Sequence, residues 1–106
     1  MPQALITVPK TAKRGEVIEI KTLIAHQMET GYRAGPDGRV LPRDIIRRFT
    51  CRYNGEVVFS AELFPAISAN PYLSFHLQAT DSGTLEFEWQ GDNGFAQVER
   101  RTLQVA

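Results

Sequence analysis

An Asn-Gly pair near the middle of the chain, Asn54-Gly55, is the feature that most restricts the fold. It stands between two runs rich in β-branched and aromatic residues, 45–53 and 56–63. Asn-Gly readily takes positive φ at both centres of a type I′ turn, which joins two antiparallel strands. The sequence therefore predicts a β-hairpin over residues 45–63.

The alternation within this hairpin predicts which side chains face the core, because strand side chains point to opposite faces in turn. In the first strand, the side chains expected to face inward are Ile45, Arg47, Phe49, Cys51 and Tyr53. Those expected to face outward are Ile46, Arg48, Thr50 and Arg52. In the return strand, the side chains expected to face inward are Val57, Phe59, Ala61 and Leu63. Cys51, the only cysteine of the chain, is thus expected in the core, where a thiol is usually inert packing.

The rest of the chain also shows strand patterns rather than helical ones. Further strands are expected at 4–8, 16–26, 72–79, 84–90 and 95–105, with Trp89 in the core. Turn signals recur about every ten residues, which is typical of a β-sandwich. A chain of 106 residues predicts one domain. We therefore expect a single all-β domain over 1–106, an immunoglobulin-like antiparallel β-sandwich of about seven strands; an open barrel is the alternative.

Three segments carry no usable alternation. Residues 10–15 are expected to form a polar turn, and residues 64–72 a loop with at most one short helical turn. Residues 27–44 are rich in glycine and proline, and Pro36-Asp37-Gly38 predicts the tip of a small inner hairpin. Irregular segments as long as 27–44 are usually functional or mobile.

The charges are unevenly distributed although the net charge is zero. Residues 1–52 hold 10 basic and 5 acidic side chains, whereas residues 53–106 hold 2 basic and 7 acidic ones, and six arginines fall within 33–52. Either neighbouring strands mix the two halves on the folded surface, or an arginine-rich patch meets an anion or an acidic partner. The zero net charge gives no general argument for binding nucleic acid or an anionic membrane.

Few side chains are candidates for catalysis or metal binding. Cys51 with His26 or His76 could form a thiolate pair, but the core position of Cys51 argues against this. His26 is expected to be a hydrogen-bonded structural histidine. Glu86 and Glu88 could bind a hard cation, although a solvated outer face is the favoured interpretation. No catalytic residue, metal site or cofactor is therefore expected.

The residues alone give little information about the cellular location. No apolar run approaches the roughly 20 residues that span a bilayer. The first ten residues lack the basic and apolar regions of a signal peptide. Taken alone, this N-terminus favours the cytoplasm.

Several stretches together resemble the SoxZ family, the SoxZ-like subunit of the SoxYZ thiosulfate-oxidation sulfur-carrier complex. They are PKTAKRGE at 9–16, LIAH at 23–26, METGYR at 28–33, YNGE at 53–56, PAISANPYLSF at 65–75 and GDNG at 91–94. Each motif is weak alone, but their order and spacing are specific and cover nearly the whole chain. Gln27 departs from the proline of many relatives, which suggests a less rigid entry to the following loop.

The resemblance implies an immunoglobulin-like fold and a function without catalysis or cofactor. It implies pairing with a SoxY-like carrier subunit, in a heterodimer or a higher assembly, and transient contact with other Sox enzymes. The partner's mobile C-terminal Gly-Gly-Cys-Gly-Gly arm would carry the sulfur intermediates. The resemblance also implies a periplasmic location, reached by export together with a signal-bearing partner, and no nucleic acid or membrane partner.

Candidate site residues follow as hypotheses. Side-chain types enriched in interfaces, on the two irregular segments, suggest the partner-binding residues Met28, Tyr32, Arg33, Phe64, Asn70 and Tyr72. Arg48 and Arg52 are the candidates for contact with an anion or with the carrier arm, because guanidinium groups suit oxyanions. The alternative function is a thiol-dependent sulfur acceptor or enzyme that uses Cys51.

Overall fold

A computed structural model describes residues 4–65, 67 and 69–106 of the chain. Over these residues the backbone forms eight strands and a single-turn 3₁₀ helix, Asp92–Gly94. The strands are β1 (Ala4–Thr7), β2 (Thr11–Ala12), β3 (Val17–Ile24), β4 (Ile46–Tyr53), β5 (Glu56–Glu62), β6 (Tyr72–Gln78), β7 (Gly83–Gly91) and β8 (Ala96–Val105).

The strands form two sheets, in the orders β1-β3-β6 and β2-β8-β7-β4-β5. This all-β sandwich confirms the predicted fold class, and its two separate sheets exclude the open barrel. One detail differs: Thr11–Ala12, expected in a polar turn, pairs in parallel with the end of β8, whereas the other strand pairs are antiparallel. A two-residue strand is too short to produce an alternating pattern.

The central hairpin turns where the sequence predicts. Asn54 and Gly55 both have positive φ, 50° and 87°, as a type I′ turn requires. The Asn54 side-chain oxygen also accepts a hydrogen bond from the Thr84 N–H at 3.0 Å. The turn is therefore attached to β7 as well as closing the hairpin.

Two irregularities in the hairpin correct the predicted faces. The register shifts between Cys51 and Arg52, which pair with Phe59 and Val57 respectively. Val58 is therefore an extra residue, and Val57, expected inward, is exposed. A second shift, between Ile46 and Arg48, leaves Arg47 exposed and Ile46 buried, the reverse of the prediction.

Aromatic rings join the two sheets. The Phe49 ring lies 5.1 Å from Trp89 and 5.9 Å from Phe75, measured between centroids. Phe59 on β5 and Phe75 on β6 stack in parallel at 4.3 Å. Trp89 is buried in this cluster as predicted, and the contact between β5 and β6 closes one side of the sandwich.

Both long irregular segments lie at one end of the sandwich, called here the loop end, beside the Gly91–Gly94 turn. Residues 27–44 form the expected inner hairpin: bridges join Glu29 to Asp44 and Ala34 to Val40, and the Gly35 N–H donates to the Arg39 carbonyl at 2.7 Å near the tip. The molecule measures 58 × 20 × 20 Å. The longer strands, with seven to ten residues, span only about 23–34 Å, so the inner hairpin adds much of the length.

Candidate functional site

Three predicted contact residues are aromatic side chains exposed at the loop end. Tyr32 is 83% exposed, Phe64 60% and Tyr72 57%. They belong to three different segments: the inner hairpin, the loop after β5 and the start of β6. Exposed Tyr and Phe side chains favour a binding surface, because these residue types are enriched in interface cores.

The backbone around Tyr32 is fixed by neighbouring side chains. The Arg33 guanidinium donates to the Glu29 carboxylate at 2.6 Å, which lowers the pKa of Glu29 and raises that of Arg33. The Tyr32 N–H donates to the Thr30 hydroxyl at 3.1 Å. Arg33, a predicted contact residue, thus already has an ionic partner and helps to present Tyr32.

Met28 lies in the core and not on the surface. Its sulfur accepts a hydrogen bond from the Ile46 N–H at 3.2 Å, and its own N–H donates to Nδ1 of His26 at 2.9 Å. The side chain is almost fully buried, so it is not available to a partner. Sequence reasoning missed this because an aperiodic segment carries no information about which way a side chain faces.

Asn70 joins the two irregular segments. Its side-chain oxygen accepts from the His26 N–H at 2.9 Å, and its own N–H donates to the His26 carbonyl at 2.7 Å. The His26 imidazole packs edge-on against Phe95 at 4.9 Å and lies 3.8 Å from the Asp44 carboxylate. His26 is therefore structural, as expected, and the Asn70 side-chain oxygen is used inside the chain.

An open groove of about 400 Å³ lies at the loop end, and we call it the arginine groove. Its walls are formed by Arg43, Arg47, Arg48, Glu62, Phe64 and Gln90. Its floor includes Ile45 and Leu63, which are otherwise buried. The groove thus combines guanidinium groups with an apolar base next to one of the exposed aromatic rings.

Asp92 holds two of these arginines. Arg43 donates to both carboxylate oxygens, at 2.8 and 2.9 Å, and Nε of Arg47 lies 3.3 Å from one of them. The Ile45 N–H donates to the same carboxylate at 3.1 Å. The hydrogen bonds from Arg43, followed by the one from Ile45, lower the pKa of Asp92.

The turn that carries Asp92 explains the glycine before it. A Cβ atom on Gly91 would lie 2.5 Å from the Ile45 carbonyl oxygen, so only glycine lets β7 approach β4 this closely. Sequence reasoning did not identify Asp92 as a site residue. The GDNG motif that contains Asp92 was visible in the sequence. However, the pairing of Asp92 with arginines more than 40 positions earlier cannot be deduced from spacing.

The two arginines predicted to contact an anion lie in different surroundings. Arg48 lines the groove, and within the described part of the chain no carboxylate lies within 4.0 Å of its guanidinium. Arg52 lies on the outer face of the five-stranded sheet, 3.2 Å from Glu86 and 2.9 Å from Glu88. Hydrogen bonding to Glu88 raises the pKa of Arg52.

The carboxylates considered as a cation site are bound by arginines. Glu86 and Glu88 share Arg52, and Glu86 also pairs with Arg100 at 2.9 Å. Among residues 4–65, 67 and 69–106, no group of three or more His, Cys, Asp or Glu side chains is placed to hold a metal ion. In the same residues, no helix is long and apolar enough to cross a membrane.

Cys51 is fully buried between the strands that carry Phe59 and Phe87. Burial raises the pKa of its thiol to about 12, because a thiolate is poorly solvated in an apolar core. The thiolate is the reactive form of cysteine. The position confirms the expected packing role and provides no accessible nucleophile.

Solved structures with the same fold include proteins of different function. One is a superoxide reductase (neelaredoxin) from Ignicoccus hospitalis, with a TM-score of 0.71 at 14% sequence identity, covering 97% of this chain and 80% of that one. Another is the sulfur carrier protein SoxY from Chlorobium limicola f thiosulfatophilum, with a TM-score of 0.66 at 14% identity, covering 97% and 78%. At such low identity the likeness establishes the fold alone.

The family comparison is more specific. Among curated proteins the sequence has no match. The model of the family described as sulphur oxidation protein SoxZ matches residues 6–102, which include the inner hairpin, the central hairpin and the GDNG turn. The chain therefore belongs to the SoxZ family.

Proposed function

We propose that this chain is the non-catalytic subunit of a periplasmic sulfur-carrier heterodimer and that it binds a SoxY-like chain through its loop end. The family match over residues 6–102 carries the proposal, because it makes the chain a component of a sulfur-oxidation system that acts on thiosulfate. The exposed aromatic side chains at the loop end support the location of the contact.

The proposed surface contains Tyr32, Phe64 and Tyr72, flanked by Arg33. Aromatic side chains lose little conformational entropy on binding and often supply a large share of the affinity. The Arg33–Glu29 pair and the Asn70 hydrogen bonds hold the backbone before binding. A preorganised surface avoids part of the entropic cost of association.

The molecule is narrow, with two extents of 20 Å, and a standard interface buries about 800 Å² on each partner. We expect the contact to continue along the side of the inner hairpin, where Tyr32 and Val40 are both exposed.

Sulfur chemistry is assigned to the partner's cysteine and not to Cys51. The buried thiol with its raised pKa does not support the alternative function of a Cys51-dependent acceptor or enzyme. No other observation favours that alternative. In this proposal the chain positions its partner, and the partner's arm carries the thiosulfate-derived group between Sox enzymes.

Co-expression with a SoxY-like chain tests the proposal. The two chains should co-purify and elute together from a size-exclusion column at micromolar concentration. Separate elution of two folded chains would contradict the proposal.

Variants of the aromatic surface test its location. Tyr32→Ala, Phe64→Ala and Tyr72→Ala should each weaken the heterodimer about tenfold or more, as expected for a central aromatic contact worth about 1.4 kcal/mol. Val17→Ala is the matched control, because Val17 is 62% exposed at the opposite end of the sandwich. Equal affinities for all four variants would place the contact elsewhere.

A further inference from the structure

Among the described residues, one arginine of the arginine groove has no ionic partner. Arg43 uses two hydrogen bonds to bind Asp92, and Arg47 lies against the same carboxylate at 3.3 Å. Arg48 also lines the groove, but among the described residues it forms no ion pair within 4.0 Å. Asp92 therefore holds two arginines in place, and within the described part of the chain the guanidinium of Arg48 is available to an external anion.

The charges of the groove favour one added negative charge. Three arginines stand against two carboxylates, Asp92 and Glu62. Glu62 is the cross-strand neighbour of Arg48 but does not pair with it in the structure. A singly charged oxyanion would balance the groove, and guanidinium groups bind oxyanions through paired, charge-assisted hydrogen bonds.

The size and floor of the groove indicate that the anion is attached to a larger group. The volume of about 400 Å³ is in the range of sites for organic ligands. Ile45 and Leu63 form part of the floor, and Phe64 borders it. A free inorganic ion would leave these apolar groups uncovered, whereas an extended peptide would contact them.

We propose that the arginine groove binds a sulfonate or carboxylate group presented on an extended segment of the partner chain, and that Arg48 is its direct ligand. Arg47 assists, and Asp92 acts as a positioning residue. This inference rests on the proposed function only for the identity of the presenting chain. Arg52 has no part in it, because its guanidinium is engaged by Glu86 and Glu88.

A peptide titration followed by nuclear magnetic resonance tests the groove in the full chain. The probe is a glycine-flanked pentapeptide with S-sulfocysteine at its centre and with both termini blocked, so that the sulfonate is its only anionic group. The comparison probes are the same peptide with a free thiol, and sodium sulfate at matched ionic strength. The sulfonated peptide should shift the signals of Arg48, Gln90 and Phe64. The thiol peptide should bind about tenfold more weakly, because it lacks the charge-assisted hydrogen bonds.

Single substitutions test which charged side chains of the groove contribute to peptide binding. Arg48→Gln should weaken binding of the sulfonated peptide about tenfold, and Glu62→Gln should strengthen it several-fold, because a repelling carboxylate is removed. Arg39→Gln is the control, since Arg39 is equally charged but lies near the tip of the inner hairpin and is almost fully exposed. Its affinity for the peptide should equal that of the wild type.

Three outcomes would overturn the inference. They are shifts confined to another surface, an unchanged affinity in Arg48→Gln, and sulfate binding as tightly as the peptide, which would make the groove a site for free ions. Failure of the proposed function is distinguishable from these. A chain that binds the peptide but forms no complex with a SoxY-like protein would refute the heterodimer and retain the groove.

Discussion

At the scale of single residues, Asp92 determines which arginines of the loop end are available. Its carboxylate accepts hydrogen bonds from Arg43 and from the Ile45 backbone, and its side chain is only 13% exposed. It therefore links the end of the 27–44 segment to the β7–β8 turn. Removing its charge should affect both the stability of the loop end and the shape of the groove.

We predict that Asp92→Asn lowers the free energy of unfolding by about 1–2 kcal/mol at neutral pH, a modest value because Arg43 and Arg47 are half exposed. The folded-state pKa of Asp92 is lowered, so its stabilisation is present above the unfolded-state pKa and is lost as the pH falls through the folded-state pKa. Urea unfolding at several pH values measures this.

Asp81→Asn is the control variant for Asp92→Asn. Asp81 pairs with Arg14 at 3.0 Å, but both side chains are about two-thirds exposed, so its removal should change stability little. If the difference in the free energy of unfolding between wild type and Asp92→Asn persists unchanged into strong acid, the stabilising role of the carboxylate charge is contradicted.

Cys51 gives a second residue-scale prediction. Iodoacetamide should label the native protein very slowly at pH 8, because the thiol is buried and its pKa is raised to about 12. The raised pKa also means that the contribution of the neutral thiol to stability is fully present below the unfolded-state pKa and is lost as the pH rises through the folded-state value. Stability should therefore fall more steeply above pH 9 in the wild type than in Cys51→Ala.

Mass spectrometry after timed labelling checks the first part of this prediction, and urea unfolding at alkaline pH checks the second. Rapid modification of the folded chain would show an accessible thiol. It would support a role for Cys51 as a sulfur acceptor.

The residue roles were predictable where a residue stands in an alternating segment. The core position of Cys51 follows from its place in β4. The structural role of His26 was expected from its place at the end of the alternating segment 16–26, although β3 itself ends at Ile24. Met28 and Asp92 stand outside any period, and their partners, Ile46 and Arg43, are far away in sequence. Their roles depend on tertiary contacts that a local pattern does not record.

At the scale of elements, the register shift between Ile46 and Arg48 shapes the groove. The register shift before Arg48 turns Arg47 outward, so that two consecutive arginines reach the same surface. In a regular strand they would point to opposite faces. The bulge therefore gives the arginine groove one of its walls.

We predict that Gly91→Ala destabilises the fold by about 1–3 kcal/mol, the usual cost of inserting an atom into a well-packed site. The new Cβ would meet the Ile45 backbone at 2.5 Å, in the place where Asp92 holds Ile45. Thermal unfolding followed by circular dichroism measures the loss. The arginine groove should be distorted in the same variant.

Gly38→Ala is the matched control. Gly38 has a φ of +81° but open space around it, so alanine there costs about 1–2 kcal/mol of local backbone strain without disturbing a neighbouring strand. Equal perturbation of the Arg48 signals in both variants would contradict the specific role of Gly91.

Turn chemistry made the central hairpin and the inner hairpin predictable, since Asn54-Gly55 and Pro36-Asp37-Gly38 have local conformational preferences. The bulges and β2 were not predictable. A bulge inserts one residue without changing the local composition, so it reverses the assigned faces of residues such as Val57 and Ile46. β2 forms only because β8 is beside it.

At the scale of the whole molecule, an elongated sandwich presents its irregular segments at one end. The family model covers residues 6–102, and the strand pairing places the groove and the exposed aromatic side chains at the same end of the sandwich. The fold itself does not specify the function, since superoxide reductase and SoxY share it. We therefore expect the loop end to be the surface that binds the partner.

Hydrogen–deuterium exchange of the chain, alone and with a SoxY-like protein, tests this claim most directly. Exchange should slow on complex formation in residues 27–44 and 64–72 and at the start of β4. It should stay unchanged at the Asn54-Gly55 turn, at the opposite end of the sandwich. Protection confined to that opposite end, or to the outer face around Arg52, would contradict the account.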